Sequence, residues 1–388
     1  MGKSVSRNTP SAHDLRLMRH ALGLARRGLG RVWPNPAVGC VLVKDDRIVG
    51  AGWTQPSGRP HAERVALDAA GDLAKGATAY VTLEPCSHHG KTPPCADALV
   101  AAGVARVIAA CTDPDPRVSG RGLARLREAG LAVTEGVLAE EARALNAGFL
   151  SRVLRGRPWV TLKVASTLDG RIATATGESQ WITGPRARAE GHRLRGEADA
   201  VLTGAGTLAA DDPLLTARMP GYENRQPVRI VLEGREPVPS AAKIWETAYL
   251  SPVWLLTAHA DAERDAEFGA RGVRVLPVAA GADGRPDPAA VLARLGEAGL
   301  TRLLVEAGST LNAALLAADL VDEIAWFRAP FAIGGDGLAA VGAMSLAGLA
   351  DAPRFRPFGR LPLDSDVLEV YQRNSWNFQD GAGRCLPE

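Results

Sequence analysis

The sequence has few cysteines, almost no net charge and no long apolar run. Five cysteines are spread over 388 residues, and so odd and sparse a set excludes a small secreted disulfide framework and favours the reducing cytoplasm. The formal net charge of +2 argues against a protein that coats DNA or RNA. No stretch of about 18 apolar residues is present to cross a membrane. We therefore expect a cytoplasmic protein that binds neither nucleic acid nor a membrane.

Strand and helix patterns alternate along most of the chain. The first 150 residues combine a helix around Met18, a hairpin that turns at Asp45 and Asp46, a helix from about Ala62 and further strand–helix pairs. Such a series predicts a mostly parallel sheet covered by helices. The basic connector "LSRVLRGRPW" indicates a boundary, and a second strand–helix series follows it. We predict an α/β protein with domains at residues 1–150 and 159–375 and a polar tail over the last dozen or so residues.

One histidine, one glutamate and two cysteines occupy strand-to-helix junctions of the first domain. His61 and Glu63 form "HAE" at the start of a predicted helix, and Cys86 and Cys95 bound "CSHHGKTPPC" at the entry to another. Helix N-termini stabilise thiolates. One imidazole and two thiolates would leave the fourth position of a zinc ion open for water, and Glu63 is placed to accept the proton of that water. The pattern predicts a zinc-dependent deaminase of bases or nucleosides, with Glu63 as general acid and base.

Other uses of the same residues remain open. Cys86 and Cys95 would also suit a disulfide, and His88 or His89 would also complete a closed structural zinc site. A tRNA deaminase would need a basic, aromatic-lined channel for the strand, and a zinc-stabilised binding module would need no role for Glu63.

Glycine loops recur in the second domain. They lie in "TGAGTLAADDP" (203–213), "LLVEAGSTLNAAL" (303–315) and "IGGDG" (333–337). The first contains a G-x-G-x-x-A match that is too weak, and too close to its acids, to define a Rossmann unit. Free backbone amides at such strand-to-helix junctions bind anions. The loops predict a nucleotide-using α/β domain for two phosphorylated ligands, such as a dinucleotide and a sugar phosphate.

Longer stretches carry a family resemblance from about residue 13 to 360. "PNPAVGCVLV", "HAE", "EPCSHHGKTPPC" and "DPDPRVSGRG" resemble the deaminase domain of the bifunctional riboflavin-biosynthesis deaminase–reductases. "LKVASTLDGRIATATGESQWITG", "TGAGTLAADDPLLTAR" and "VEAGSTLNAALL" resemble the reductase half. The resemblance implies a cytidine-deaminase-like domain followed by a dihydrofolate-reductase-like reductase domain, with Zn²⁺ and NADPH as cofactors. Its phosphoribosylated pyrimidine substrates would be deaminated and then reduced at the ribosyl group to give a ribityl chain. We also expect a homo-oligomer.

The resemblance also implies roles for individual residues. The metal ligands would be His61, Cys86 and Cys95. The catalytic residues would be Glu63 and Lys163. The substrate contacts would be Asn35, His88 and Lys91 in the deaminase and Ser179, Arg195, Leu215, Arg218 and Glu306 in the reductase. The NADPH contacts would be Ala165, Trp181, Thr207, Asp211, Gly308, Ser309, Thr310 and Leu311.

Several of these residues also fit purely structural roles. Asn35 would suit a turn between prolines, Lys163 an exposed edge strand, Arg195 a solvated helix face and Asp211 a turn or helix cap. Thr54 stands where many relatives of this family have a histidine.

Overall fold

The structure is a computed structural model that describes residues 10–88, 93–116, 118–223, 225–235, 237–259 and 261–373. It divides into two compact units, the first ending at Arg155 and the second beginning at Gly156. The predicted polar tail lies outside the described residues. No helix in the described part of the chain combines the length and apolar character needed to cross a bilayer.

The first unit is a five-stranded sheet with helices packed on it. Its strands are β1 (Gly39–Lys44), β2 (Arg47–Trp53), β3 (Thr78–Val81), β4 (Arg106–Ala109) and β5 (Ala132–Glu135). Its helices are α1 (Ala12–Ala25), α2 (Ala62–Ala70), α3 (Cys95–Ala101), α4 (Arg121–Glu128), α5 (Ala139–Leu145) and α6 (Ala147–Arg155). The strand order is β2-β1-β3-β4-β5. The pairs β3–β4 and β4–β5 are parallel, whereas β1 pairs antiparallel with both β2 and β3. The sheet is therefore mixed rather than mostly parallel.

The first two strands form the predicted hairpin. Asp45 and Asp46 have φ angles of 50° and 57° at its turn, the left-handed backbone that two-residue hairpin turns require and that Asp tolerates better than most residues. Because β1 is antiparallel to both of its neighbours, β2 and β3 run in the same direction. Their carboxyl ends therefore lie at the same edge of the sheet.

Helix α2 lies directly against the backbone of β2. A Cβ atom on Gly52 would come within 2.5 Å of the Ala62 carbonyl oxygen, so only glycine allows this approach. Ala62, Ala66 and Ala70 are buried on the sheet-facing side of the helix. The small residues on both elements fix the start of α2 close to the carboxyl end of β2.

The second unit is built on a nine-stranded sheet. Its strands are β6 (Trp159–Ser166), β7 (Arg171–Ala173), β8 (Ala200–Gly204), β9 (Val228–Leu232), β10 (Val253–Thr257), β11 (Val273–Pro277), β12 (Arg302–Val305), β13 (Glu323–Arg328), β14 (Leu338–Ala339), β15 (Phe355–Leu363) and β16 (Asp366–Arg373). Its helices are α7 (Pro185–Glu197), α8 (Ala205–Asp211), α9 (Lys243–Glu246), α10 (Ala262–Ala270), α11 (Pro288–Glu297) and α12 (Ser309–Ala317). The order is β11-β10-β9-β8-β12-β6-β13-β16-β15, with β7 and β14 paired separately.

Strand β6 lies inside this sheet. It pairs in parallel with β12 on one side and β13 on the other, so Lys163 is not on an edge strand. The large sheet is parallel from β11 to β13, and the hairpin β15–β16 extends it with antiparallel pairs. That hairpin was not predicted. Strand β15 is exposed along most of its length and carries a bulge between Pro357 and Gly359, so it lacks the alternation by which strands are recognised.

Candidate active sites

Three side chains of the first unit meet at the edge where β2 and β3 end. The Nδ1 atom of His61 lies 3.7 Å from Sγ of Cys86 and 3.3 Å from Sγ of Cys95. His61 is the N-cap of α2, and Cys95 is the first residue of α3. The Cys95 backbone N–H donates to Sγ of Cys86 at 3.3 Å, a bond that favours the thiolate. The predicted ligands are thus brought together by two helix starts.

The geometry of the triad fits a zinc ion. With Zn–S near 2.3 Å and Zn–N near 2.0 Å, tetrahedral ligand atoms lie roughly 3.6 Å apart. The ligand atoms of His61, Cys86 and Cys95 all lie within 4.8 Å of one another. Both cysteines are free thiols, so the disulfide alternative is not supported. Among the described residues the group contains no fourth side chain. His88 is not part of it and His89 lies outside those residues, so the arrangement fits an open site.

Glu63 lies in the first turn of α2, two residues after His61, and is buried. Burial, and then the nearby Cys86 charge, raise the pKa of Glu63 to about 7. Its carboxylate also shares a hydrogen bond with the Cys95 thiol. A buried carboxyl group beside the triad, outside the ligand set, is what proton transfer to and from a water molecule requires.

The predicted substrate contacts of the deaminase lie close to the ligand-bearing segments. Asn35 packs on Gly58, where a Cβ atom would lie 1.9 Å from Asn35 Nδ2, in the segment leading to His61. Its backbone also forms a turn with Val32, so the turn role holds alongside any contact with substrate. Lys91 lies outside the described residues. Thr54 is buried, and its Oγ1 accepts a hydrogen bond from the Val38 N–H at 3.0 Å, which gives it a structural role.

A cavity of about 850 Å³ adjoins this region. Ser87 and His88, which directly follow the ligand Cys86, line one side. Arg121 and Arg125 of α4 line the other. The cavity lining also includes Glu128, and Arg125 is paired with Asp97, so the charge of this cavity is mixed.

The second unit contains a buried cluster of one acid and two bases. Glu306 directly follows β12, whose last residue is in register with Leu162 on β6, so Glu306 meets Lys163. Oε2 of Glu306 lies 3.3 Å from Nζ of Lys163, and Arg195 Nε and Nη2 donate to its two oxygens at 2.5 and 3.0 Å. Burial alone would raise the pKa of Glu306, but the charges of Arg195 and Lys163 outweigh it and hold that pKa far below its usual range. The edge-strand and solvated-face interpretations of Lys163 and Arg195 were therefore wrong.

Arg195 and Arg218 converge on Thr216. Arg195 Nη1 donates to the Thr216 carbonyl at 3.0 Å, and Arg218 Nη1 donates to its hydroxyl at 3.2 Å. Leu215 has a φ of 53°, and its side chain is buried in the core, so only its backbone can meet a ligand. Two guanidinium groups beside one partly exposed residue are well suited to a phosphate.

The predicted NADPH contacts gather around the starts of α8 and α12. A Cβ atom on Gly308 would lie 3.4 Å from Thr207 Oγ1, and one on Gly204 would lie 3.7 Å from Leu311. Gly308 is the N-cap of α12, which begins with Ser309 and Thr310. Amides at such a helix start bind anions. Asp211 ends α8 and is exposed, one turn after Thr207 on the same face.

Trp181 is an exposed aromatic residue in the segment before α7. Its side chain is 68% exposed, and the Arg188 guanidinium lies 4.4 Å from its ring centroid. Ser179 precedes it and is half-buried. Ala165 packs on the Phe327 cluster beneath β6. The sequence analysis did not identify Arg188. It lies seven residues after Trp181 on α7, and nothing in the sequence distinguishes it from the other arginines of that helix.

The "IGGDG" segment differs from the prediction of a phosphate loop. The N–H groups of Ile333 and Gly334 donate to the Asp169 carboxylate, at 2.8 Å for Gly334. A hydrogen bond from Thr167, followed by that from Gly334, lowers the pKa of Asp169 to about 2. These amides already have an anionic partner. Asp169 lies in the turn after β6, and its distance along the chain from Gly334 hid this contact.

The first unit has an open His–Cys–Cys metal site beside a buried glutamate, which is the site of a zinc-dependent deaminase. The second α/β unit has a helix start of the kind that binds nucleotides, as a reductase requires. Residues 11–111 match the cytidine and deoxycytidylate deaminase zinc-binding region, and residues 158–359 match the RibD C-terminal domain. The chain belongs to the RibD family of riboflavin biosynthesis proteins, which are bifunctional deaminases and reductases. The predicted fold class and both cofactors, zinc and NADPH, are thereby confirmed.

Individual relatives are similar over nearly their whole length. Riboflavin biosynthesis protein RibD of Escherichia coli K12 is 46% identical over 350 residues, covering 87% of this chain and 94% of that protein. The form 1 structure of Acinetobacter baumannii RibD is 40% identical with a TM-score of 0.84, covering 93% of this chain and 99% of that one. A Thermotoga maritima diaminohydroxyphosphoribosylaminopyrimidine deaminase/5-amino-6-(5-phosphoribosylamino)uracil reductase is 35% identical with a TM-score of 0.81, at the same coverage.

Proposed function

We propose that this chain carries out two consecutive reactions of riboflavin biosynthesis, one in each unit. The first is hydrolytic deamination of 2,5-diamino-6-(5-phosphoribosylamino)pyrimidin-4-one. The second is NADPH-dependent reduction of the ribosyl group of 5-amino-6-(5-phosphoribosylamino)uracil to ribityl. The observation that carries the proposal is the His61–Cys86–Cys95 triad beside buried Glu63, in a chain similar to RibD across both units.

In the deamination, water replaces the 2-amino group of the pyrimidine and ammonia leaves. His61, Cys86 and Cys95 would hold the zinc ion, which would supply the polarisation of that water. Glu63 takes one proton of the water and passes it to the ring nitrogen, then takes the second and passes it to the departing amine, so the carboxyl group ends as it began. Asn35 and His88 contact the substrate, and Lys91 is proposed to do so on the resemblance alone.

In the reduction, bound NADPH would supply the hydride for the open or imine-like form of the sugar, and a proton would complete the ribityl chain. NADPH would be held by Ala165, Trp181, Thr207, Asp211 and residues 308–311. The contact between Thr207 and Gly308 supports this assignment, since it joins the two helix starts that would bind a dinucleotide.

The pyrimidine substrate of the reductase is held by the neighbouring charged groups. Ser179, Arg195, Arg218, Glu306 and the backbone of Leu215 form its contacts, with Arg218 placed for the phosphate. Lys163 orients the ribose. The direct ion pairs from Glu306 to both Lys163 and Arg195 support a shared role, because they fix both cations on one side of the sheet.

We also propose that the deaminase domain spans residues 1–150 and the reductase domain residues 159–375. The division of contacts between Arg155 and Gly156 supports this. The free thiols required by the triad favour a cytoplasmic location. We propose that the partners of this chain are small-molecule substrates and that it binds neither nucleic acid nor a membrane. We also propose a homo-oligomer, which light scattering would test.

The direct test supplies the zinc-loaded protein with the diaminopyrimidine ribosyl phosphate and NADPH. Ammonia release followed by NADPH oxidation, with the ribityl product identified by mass spectrometry, would support both assignments. Ammonia release without NADPH oxidation, even when the deaminated pyrimidine is supplied, would contradict the second.

A further inference from the structure

Glu84 is a buried acid two residues before the ligand Cys86, and the mechanism above does not use it. Its two carboxylate oxygens accept four backbone hydrogen bonds from a segment about thirty residues further on. The donors are the N–H groups of Asp113 (3.0 Å), Gly120 (2.9 Å), Gly122 (2.9 Å) and Leu123 (3.2 Å). A carboxylate has about four acceptor positions, so Glu84 is fully occupied by these amides.

The pattern of donors is that of a helix cap. Gly120 is the N-cap of α4, and because glycine has no side chain it cannot cap the helix itself. The second and third amides of a helix are the ones that a cap residue normally satisfies. Here Gly122 and Leu123 occupy those positions, and their partner is Glu84 from the segment after β3. A negative charge at this end also suits the helix dipole.

The start of α4 packs tightly against the segment that carries Glu84 and Pro85. A Cβ atom on Gly122 would lie 2.0 Å from the Pro85 carbonyl oxygen. The Glu84 backbone N–H also donates to the Cys111 carbonyl at 2.9 Å. The start of α4 is therefore seated against Glu84 and Pro85, immediately before the ligand Cys86.

This seating holds the segment that follows Cys86 against the start of α4. Ser87 and His88 continue the chain from Cys86, and Arg121 and Arg125 belong to α4. We propose that Glu84 is a positioning residue of the deaminase: by capping α4 it fixes segment 86–88 against the start of that helix, and with it the position of His88, a proposed substrate contact. The inference rests on the proposed deaminase function.

Glu84→Gln gives the sharpest test. The amide retains one oxygen, which can serve two of the four N–H groups, while its NH₂ group would face the other two donors. We expect the KM for the diaminopyrimidine substrate to rise at least about tenfold, with kcat changed much less, because the segment that carries His88 has shifted. Zinc content should stay at one per chain, and NADPH oxidation with the deaminated pyrimidine should be unchanged. Faster amide hydrogen exchange at the start of α4 would report the lost cap directly.

Gly122→Ala displaces the same helix start while Glu84 keeps its carboxylate, because the added Cβ atom would lie 2.0 Å from the Pro85 carbonyl oxygen. This variant carries the test alone if Glu84→Gln does not fold. It should raise KM in the same way. Matched controls are Glu141→Gln on the exposed side of α5 and Gly23→Ala in α1, where an added Cβ meets nothing within 4 Å. Both should behave as the original chain.

An unchanged KM in Glu84→Gln and Gly122→Ala would overturn the inference, as would zinc loss, which would assign Glu84 to the metal site. Failure of the proposed function is a different result: the unsubstituted, zinc-loaded chain would then release no ammonia at all.

Discussion

The Nδ1 atom of His61 lies 3.3 Å from the Sγ atom of Cys95, 34 residues further along the chain. The contact exists because β2 and β3 run in the same direction, so that the segments after them, and the helices those segments lead into, begin at one edge of the sheet. Cys86 lies between these helices in sequence and completes the set. An open zinc site follows from this topology.

Removal of one thiolate should remove the metal. In Cys86→Ala only one thiolate and one imidazole remain, and two ligands hold zinc far more weakly than three. We expect zinc content to fall below about one tenth per chain, and ammonia release to be lost with it, while reduction of the deaminated pyrimidine continues. Elemental analysis and the two activity assays measure this. Cys111→Ala, a buried thiol outside the triad, should keep both zinc and activity; equal zinc loss in the two variants would contradict the assignment.

Lys163→Met should affect only the reductase. The substitution keeps the length of the side chain and removes the cation that lies 3.3 Å from Glu306. If Lys163 orients the ribose, kcat for NADPH oxidation should fall about 100-fold, the lower end of the effect of a positioned polar group. Lys75→Met, an exposed residue of the first unit, is the matched control. A Lys163→Met protein with an unchanged kcat would show that Lys163 serves only as a counter-ion to Glu306.

Glu306 should make stability depend on acid pH. Its pKa is lowered in the folded protein, so its contribution is fully present above the unfolded value of about 4.3 and is lost as pH falls towards the folded value. The difference in urea midpoint between the unsubstituted chain and Glu306→Gln should be largest near neutral pH and should shrink below about pH 4. Glu297→Gln, at a side chain 67% exposed, should show little difference at any pH. A Glu306→Gln difference that grows with acidity would contradict the ion-pair account.

Arg188 should support NADPH binding through Trp181. Its guanidinium covers one face of an indole that is otherwise exposed, and such a contact contributes about 0.5–1 kcal/mol. Arg188→Ala should therefore raise the KM for NADPH about two- to fivefold with deaminase activity unchanged, and Trp181→Ala should raise it at least as much. Arg274 stacks on Trp254 in the same unit at 4.8 Å, and Arg274→Ala should leave this KM unchanged. An equal effect of both arginine variants would indicate general destabilisation.

Local motifs explain what the sequence could predict. His61 and Glu63 stand at the start of α2 and Cys95 at the start of α3, which proline, charge and apolar spacing indicate without tertiary information. Cys86 lies in the segment that leads to α3. The hairpin at Asp45 and Asp46 is also local, since its turn residues accept the left-handed backbone.

Long-range contacts explain what it could not. Glu84 reads as an ordinary acid before "PC", and only the folded chain brings it to the N-terminus of α4. The sequence around Lys163 is compatible with an edge strand, and only the fold shows that β12 and β13 flank β6. The partner of Lys163, Glu306, is 143 residues away along the chain, and the periodicity of a sequence indicates only local contacts. The exposed strand β15 was missed because neighbouring β16, rather than its own pattern, determines its conformation.

The most direct test of the central claim, that separate units act in order, is NADPH oxidation by Glu63→Gln. This variant keeps all three zinc ligands and loses the group that moves protons, so deamination should fall by about 10²–10⁴. Given the diamino substrate, it should hold zinc and oxidise almost no NADPH; given the deaminated pyrimidine, it should oxidise NADPH at the rate of the unsubstituted chain. Rapid oxidation with the diamino substrate, or none with the deaminated one, would contradict the account.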